Sequence, residues 1–437
     1  MSKRVIAGIV LAAGVLAFLA VGCGKSSKSS SGGGGGSGVK SLPTSSCSPL
    51  EYEGKGKPDF IIASDLPLQG AGRAQPIQMT QAIEFILEQH KFKAGKYKVA
   101  YQSCDDATAQ EGGWNSAKCT ANARQYANND DVIGVIGTFN SGCAKLEIPT
   151  ANRADLAMVS PANTYPGLTV GGPGTETGEP DNYYPTGDRN YARVVWTDAF
   201  QGAADAILAQ QLGLKKVFVL NDKQTYGIGV AKLFQRAAQK QGIQIAGFQA
   251  WDKNATSYES IATRIKSTGA DGVFIGGIIC NNGGKLVKDI RAGAPGVKIM
   301  APDGFTPFSA VYDGAGQASV GMYISHPGVP VEQLKGAGKK FAEQFGKKLG
   351  GEVDPYSAYA AQAAEVLIKA ISDSDGKRKS VTENLFKYKV KDGILGDFEI
   401  DKNGDTTLGT VTISQMEPGG STKVLKTITP PLDVVKG

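Results

Sequence analysis

The sequence predicts an α/β protein built as two doubly wound parallel-sheet lobes. Three observations carry that prediction. From residue 58 to residue 326, short apolar runs alternate with segments whose apolar residues recur at helical spacing. The alternation breaks once, over 162–190, in a stretch rich in Gly, Pro, Thr and Asp, and then restarts. The chain has 437 residues, enough for two cores. Strands joined by crossover helices pair in parallel and are covered on both faces.

The elements follow in order. DFIIAS (59–64) leads to a helix over 77–90, in which Ile83, Ile86 and Leu87 share a face. YKVAYQS (97–103) leads to a helix from Trp114 to Tyr126. VIGVIG (132–137) leads to a helix from Cys143 to Arg153, and AMVSP (157–161) is the next strand. After the long loop, strands are expected at 192–197, 216–222, 243–251, 272–279, 297–303 and 320–326. Helices are expected at 201–212, 226–240, 256–267 and 283–292. Two further helices, over 330–349 and 356–372, precede a strand pair, GDFEID (396–401) and GTVTIS (409–414). Asn403-Gly404 between them is a hairpin turn signal.

The N-terminus has its own pattern. Lys3 and Arg4 precede an uncharged apolar run, 5–21, and then Gly22-Cys23. This describes a secretion signal over 1–22; the run is short for a membrane span. Cys after Gly resembles the bacterial lipoprotein box, although Ala20 stands where Leu is commonest. That resemblance implies cleavage before Cys23 and lipidation of its thiol. The protein would then be exported and lipid-anchored to the outer face of the cytoplasmic membrane. Residues 23–47, nearly all Ser, Gly and Lys, are expected to be a flexible tether. The first lobe is expected over 48–192 plus about 327–405, and the second over 193–326 plus about 406–437.

Charge and composition exclude several functions. The net charge of +6 falls to +1 once Lys3, Arg4, Lys25, Lys28 and Lys40 are set aside, leaving 42 basic and 41 acidic side chains. Such a body offers no footprint for nucleic acid. No CxxC occurs, and His90 and His326 are the only histidines, so no metal site is expected. Asp401, Asn403 and Asp405 have calcium-loop spacing, but Thr406 and Thr412 occupy the places of the required Gly and Glu. No nucleophile elbow, zinc-protease helix or phosphate loop is present. The adjacent acids Asp105 and Asp106 point apart in an extended segment. Neither an enzyme nor a cofactor is expected.

Ligands of open parallel sheets sit beyond the carboxyl ends of the strands. The third strand ends in Thr138-Phe-Asn-Ser-Gly-Cys143, the fourth in Ser160-Pro-Ala-Asn-Thr-Tyr165. Asn140 or Ser141 is a suitable helix N-cap. The amides beyond it lack intrahelical partners and, with the helix dipole, form an anion site. Ala162, Asn163 and Thr164 add polar groups on the neighbouring strand end. The alternative is that Ser141 merely caps its helix.

Five stretches extend this reading: 136–169, 219–242 with its NDKQTYG, GVFIGGIICNNGGKLVKDIRAG (272–293), IMAPDG (299–304) and GDFEIDKNGD (396–405). In order, they resemble the substrate-binding proteins of branched-chain amino acid ABC transporters, over about residues 58–430. The resemblance implies a type I periplasmic binding protein: two lobes, three crossover strands and a cleft between them. It implies that Ser141, beside Asn140, holds a ligand carboxylate. Ala162 and Thr164 would take the α-carboxylate and α-amino groups, Tyr226 would close over the ligand, and Phe305 would form part of the wall. Leucine-type binders place an acid where this chain reads Cys280-Asn281-Asn282, so the neutral Asn281 takes that position. The expected first-lobe aromatic is replaced by Arg73-Ala74, where Arg73 is either a ligand-facing cation or plain surface. An amide, a carboxylic acid or another small polar metabolite therefore stands beside an amino acid as ligand. The resemblance also implies a disulfide between the loops after the second and third strands, Cys104–Cys143, with Cys104–Cys119 as the alternative. The functional expectation is the solute-binding component of an ABC importer, partnered by permease subunits. A lipid-anchored sensor of the same fold, or a hydrolase on an α/β scaffold, is the alternative.

Overall fold

The structure is a computed structural model in which residues 38–436 are described. The expected secretion signal, Cys23 and the first part of the expected tether lie outside the described residues.

The chain begins with β1 (Phe60–Leu66), α1 (Ala74–Gln89), β2 (Lys93–Ala94) and β3 (Tyr97–Asp105). A small hairpin of β4 (Ala107–Thr108) and β5 (Gly113–Trp114) precedes α2 (Ser116–Ala127), β6 (Val132–Gly137), α3 (Ser141–Arg153), β7 (Ala157–Ser160) and β8 (Tyr191–Arg193). These strands form one sheet in the order β2-β3-β1-β6-β7-β8, parallel except for the β2 edge. Apolar clusters cover both faces. One joins Ile83, Ile86 and Leu87 of α1 to later helices; the other joins Val135 of β6 to Ile148 of α3.

The chain then crosses into a second sheet through 194–197. There follow α4 (Asp198–Gln211), β9 (Lys216–Asn221), α5 (Thr225–Lys240), β10 (Gln244–Ala250), α6 (Glu259–Thr268), β11 (Gly272–Gly276), α7 (Gly283–Gly293), β12 (Lys298–Ala301), α8 (Phe308–Ala315) and β13 (Tyr323–Pro327). It returns with α9 (Gly336–Leu349), α10 (Pro355–Ser372), α11 (Arg378–Leu385), β14 (Lys389–Gly393) and β15 (Gly396–Glu399). Phe341 and Phe345 of α9 pack on Phe85 of α1. Gly134 of β6 has a clear reason to be glycine: a Cβ there would lie 2.6 Å from Leu367 Cδ1 of α10. A last crossing, 406–410, leads to β16 (Val411–Met416), β17 (Thr422–Ile428) and α12 (Leu432–Lys436). The second sheet runs β10-β9-β11-β12-β13-β16-β17 and is antiparallel only at β16 and β17.

The crossings are tied to one another. The Thr410 carbonyl accepts hydrogen bonds from Trp196 Nε1 (2.7 Å) and from the Gly328 amide (2.9 Å). Each donor belongs to a different crossing.

Three expectations are corrected. The tether does not extend to residue 47. From residue 38 the chain is strapped to the first lobe, with Val39 and Leu42 buried, because those two residues and Cys47 give it an apolar side that composition hides. Leu42 N donates to Gln102 Oε1 (2.7 Å), and Ser48 N to the Ser103 carbonyl (2.7 Å). The disulfides are Cys47–Cys104 and Cys119–Cys143, not Cys104–Cys143 or Cys104–Cys119. The strap lies antiparallel to β3 and takes up Cys104, so α2 supplies the partner of Cys143 on α3. Cys280 remains a free thiol. Finally, 396–401 and 409–414 do not pair with each other. β15 pairs with β14, a strand not anticipated, while β16 pairs with β13 and β17, because Asp401–Asp405 turns the chain into a crossing. Among the described residues no helix is long and apolar enough to cross a membrane.

Replacing Cys47 and Cys104 together by Ala should lower the unfolding free energy by about 2–5 kcal/mol in denaturant titration. The same variant should release residues 38–46 to rapid hydrogen exchange while β6 and β9 stay protected.

Candidate functional site

The strand ends of the two sheets enclose a cavity of about 250 Å³ lined from both lobes. Its first-lobe wall is built around the start of α3. Asn140 holds the N-cap position with extended φ/ψ of −91° and 130°, yet its side chain makes no capping bond. The Cys143 and Ala144 amides turn back to the Asn140 carbonyl at 3.0 and 3.2 Å. The Ser141 and Gly142 amides have no intrahelical partner, and both Asn140 and Ser141 line the cavity. Gly142 is required by a close approach: a Cβ there would lie 2.4 Å from Trp114 Cζ2. The Trp114 indole thus lies against the first turn of α3, where it also lines the cavity.

The end of β7 forms the next part of the wall. Ser160 Oγ donates to the Thr138 carbonyl (2.9 Å) and accepts from the Ala162 and Asn163 amides (3.1 and 2.9 Å). The Ala162 N–H is therefore used internally; among the described residues nothing donates to its carbonyl. The Thr164 carbonyl accepts from Asp198 N of α4 (2.8 Å), so this wall is joined to the first helix of the second lobe. Ala162 and Thr164 both line the cavity.

The opposite wall carries an acid. Asp303 follows β12, is buried, and accepts from Tyr226 Oη at 2.5 Å and from Tyr356 Oη. Tyr226 belongs to the second lobe, whereas Tyr356 opens α10 in the first, so Asp303 bridges the cleft. Burial raises the Asp303 carboxyl above its ordinary range. Asn281 also lines the cavity. Its Nδ2 donates to Asp222 Oδ2 (2.8 Å), which fixes its side chain, and its main-chain carbonyl accepts from Trp251 Nε1 (2.8 Å). At the rim, Lys253 Nζ of the second lobe meets Glu111 Oε2 of the first at 2.8 Å. Glu111 is exposed, so solvent screens the pair and it adds little to stability. The free Cys280 thiol lines the cavity and is pushed up to about 11 by burial, hence neutral.

The structure brings together Asn140, Ser141, Ala162, Thr164, Tyr226 and Asn281. It does not bring Phe305 or Arg73 there. Phe305 is fully buried in the second-lobe core against Gly283, because the turn after Asp303 points it inward. Arg73 is exposed and donates to the Gly70 carbonyl (3.2 Å), so it is plain surface. Sequence reasoning missed Asp303, Trp114 and Tyr356. Asp303 had a signal, its place at a strand end; Trp114 was assigned to a helix, and Tyr356 lies far from any strand end.

Behind α3 lies a set of buried carboxyls, Asp65, Asp106 and Glu147, each raised chiefly by desolvation. Asn122 Nδ2 donates to Asp65 Oδ1 (3.0 Å). Across the molecule Asp222 and Asp354 are pushed up to about 6 by burial.

A two-lobed α/β body with a cleft between strand ends defines a ligand-capturing protein that closes about a hinge. The comparisons place it more narrowly. A family model described as "Periplasmic binding protein" matches residues 62–421, and the chain belongs to that family. The amino acid binding protein of Pseudomonas aeruginosa is 25% identical over 329 residues, covering 74% of this chain and 80% of that protein. The Leu/Ile/Val-binding protein homolog 3 of Brucella melitensis is 24% identical over 83% of this chain and 92% of its own. Among solved structures, a leucine binding protein of Thermotoga maritima superposes with a TM-score of 0.74 at 23% identity, covering 85% of this chain and 99% of that one. A solute binding protein of R. palustris in complex with benzoate gives 0.69 at 17% identity, covering 85% and 96%. The fold is that of type I periplasmic binding proteins.

The raised carboxyls fix a pH dependence. A carboxyl whose folded pKa exceeds its unfolded value stabilises fully below the unfolded value and loses that contribution as pH rises through the folded one. For Asp222 and Asp354 the window is about pH 4 to 6. His326, pushed down to about 4 by burial, works the opposite way below pH 6.5, but it is one group against many. Thermal melts should show a higher Tm at pH 5 than at pH 8, and Asp354→Asn should flatten the slope.

Proposed function

We propose that the chain is the extracytoplasmic capture component of an ABC importer, taking a small solute with a carboxylate at one end and a hydrogen-bond donor at the other. The observation that carries this is the pairing, in one cavity, of the uncapped α3 N-terminus with Asp303 on the facing lobe. Amides at a helix start favour an anion. The Ala162 carbonyl, the Thr164 hydroxyl and Asp303 supply acceptors for an amine. The solute docks on Ser141 and Thr164, and the second lobe closes with Tyr226 and Asn281, because closure needs ligand contacts on both lobes. The closed form is what the permease subunits would receive. The role is capture without chemistry. An export signal over 1–22 and lipidation at Cys23 would keep the protein beside that permease.

An α-amino acid fits this polarity, and relatives of this chain are named for binding amino acids. A second reading, an aromatic carboxylate, is favoured by Trp114, Phe139, Tyr226 and Tyr356, all of which line the cavity. A thermal-shift screen over α-amino acids, amides, short carboxylic acids and aromatic acids separates the two. A ligand at 100 times its Kd stabilises by about 2.7 kcal/mol. Shifts from amino acids but not from their deaminated analogues support the first reading; shifts from benzoate-type acids support the second. Silence from the whole panel at millimolar concentration rejects both.

Ser141→Ala should weaken binding of whichever compound scores by about 1–3 kcal/mol in calorimetry. The Tm of the free protein should change little. Unchanged affinity removes Ser141 from the site.

A further inference from the structure

Arg193 is the last residue of β8, immediately ahead of the first crossing, and its side chain is fully buried. Its guanidinium is used in several directions. Nε donates to Asp405 Oδ1 (2.7 Å); Nη1 donates to the carbonyls of Asn163 (3.0 Å) and Tyr165 (2.8 Å); Nη2 donates to Thr169 Oγ1. Thr169 Oγ1 in turn donates to Asp405 (2.9 Å). Asp405 closes the Asp401–Asp405 turn, immediately ahead of the last crossing, where the Arg193 amide also donates to the Gly404 carbonyl (2.9 Å). Asp401 Oδ1 accepts from the Asn403 and Asp405 amides (2.8 and 2.9 Å), so the acids with calcium-loop spacing are engaged within the chain.

We propose that Arg193 and Asp405 are positioning residues for the ligand site: their ion pair, fully buried on the arginine side, holds the Asn163–Tyr165 backbone, and with it Thr164 and Ala162, in register with two of the three interlobe crossings. The inference rests on reading the cleft as the ligand site. Neither residue lines the cavity. They act through the two carbonyls that flank Thr164. Lysine cannot replace arginine here, since a point charge lacks the planar fork that reaches a carboxylate and two carbonyls at once. The crossings must bend when the lobes close, so a loop fixed to them is presented to the ligand in a position set by the hinge.

The test uses the full chain without ligand, read by peptide-resolved hydrogen exchange, and then calorimetry with L-leucine and 4-hydroxybenzoate as probes. Asp405→Asn and Arg193→Lys should each speed exchange across 163–169 by about tenfold or more. Exchange over 216–221 and 272–276 in the second lobe should not change. The affinity for whichever probe binds the wild type should fall about tenfold. Thr169→Val, which removes only the bridging hydroxyl, gives the same local pattern at smaller amplitude and serves where the charge variants fail to fold. Unchanged exchange over 163–169, or a uniform rise over the whole chain, overturns the proposal. So does unchanged affinity in a variant whose loop has loosened. A wild type that binds neither probe counts against the functional reading of the cleft; the exchange data still decide whether the pair positions the loop.

Discussion

The Thr410 carbonyl accepts hydrogen bonds from Trp196 and Gly328, and through it three separate passages of chain become one joint. Everything at the cleft depends on that joint. The walls belong to different sheets, and no strand is shared between them. Their relative position is set where the passages meet. A carbonyl has two lone pairs, so one acceptor can serve both donors, and both are then satisfied away from water. Bending at this place moves two packed bodies against each other without breaking either core.

Parallel strands buried on both faces leave polar chemistry a single outlet, the strand ends. The two lobes use that outlet with opposite polarity. The first presents amides at the start of α3; the second presents Asp303, held by hydroxyls from both sides of the gap. The sequence Cys280-Asn281-Asn282 lacks an acid, but the neighbouring strand end supplies one. That acid is Asp303 at the end of β12, one strand along the sheet from β11, while Asn281 is held by Asp222. A carboxyl in this position is dry and partnered by two hydroxyls, which fixes its orientation.

Most of the architecture was legible because burial imposes a period. Runs such as VIGVIG and GVFIGGII are apolar on both sides, and only a covered parallel sheet accommodates that. Asn140, Ser141, Ala162 and Thr164 were legible because they directly follow such runs. Other features had no such mark. Tyr356 reaches the cleft from a helix separated from Asp303 by 53 residues, a distance fixed by tertiary packing alone. The pairing of β15 with β14 was hidden because a strong turn signal at Asn403-Gly404 suggested a hairpin, whereas that turn delivers Asp405 to Arg193. The strap was hidden by composition: Ser and Gly dominate residues 24–46, and only Val39 and Leu42 show that part of it packs. With the strap unseen, Cys47 could not be matched to Cys104.

The strap has a mechanical meaning. It is sewn to β3 by backbone pairing and by Cys47–Cys104, and Lys40 is bonded to Asn129 and Asp131 in the loop ahead of β6. A pull on the chain ahead of residue 38 is therefore delivered to one jaw through a covalent stitch. Among the described residues the other jaw has no such stitch, since both disulfides join first-lobe elements.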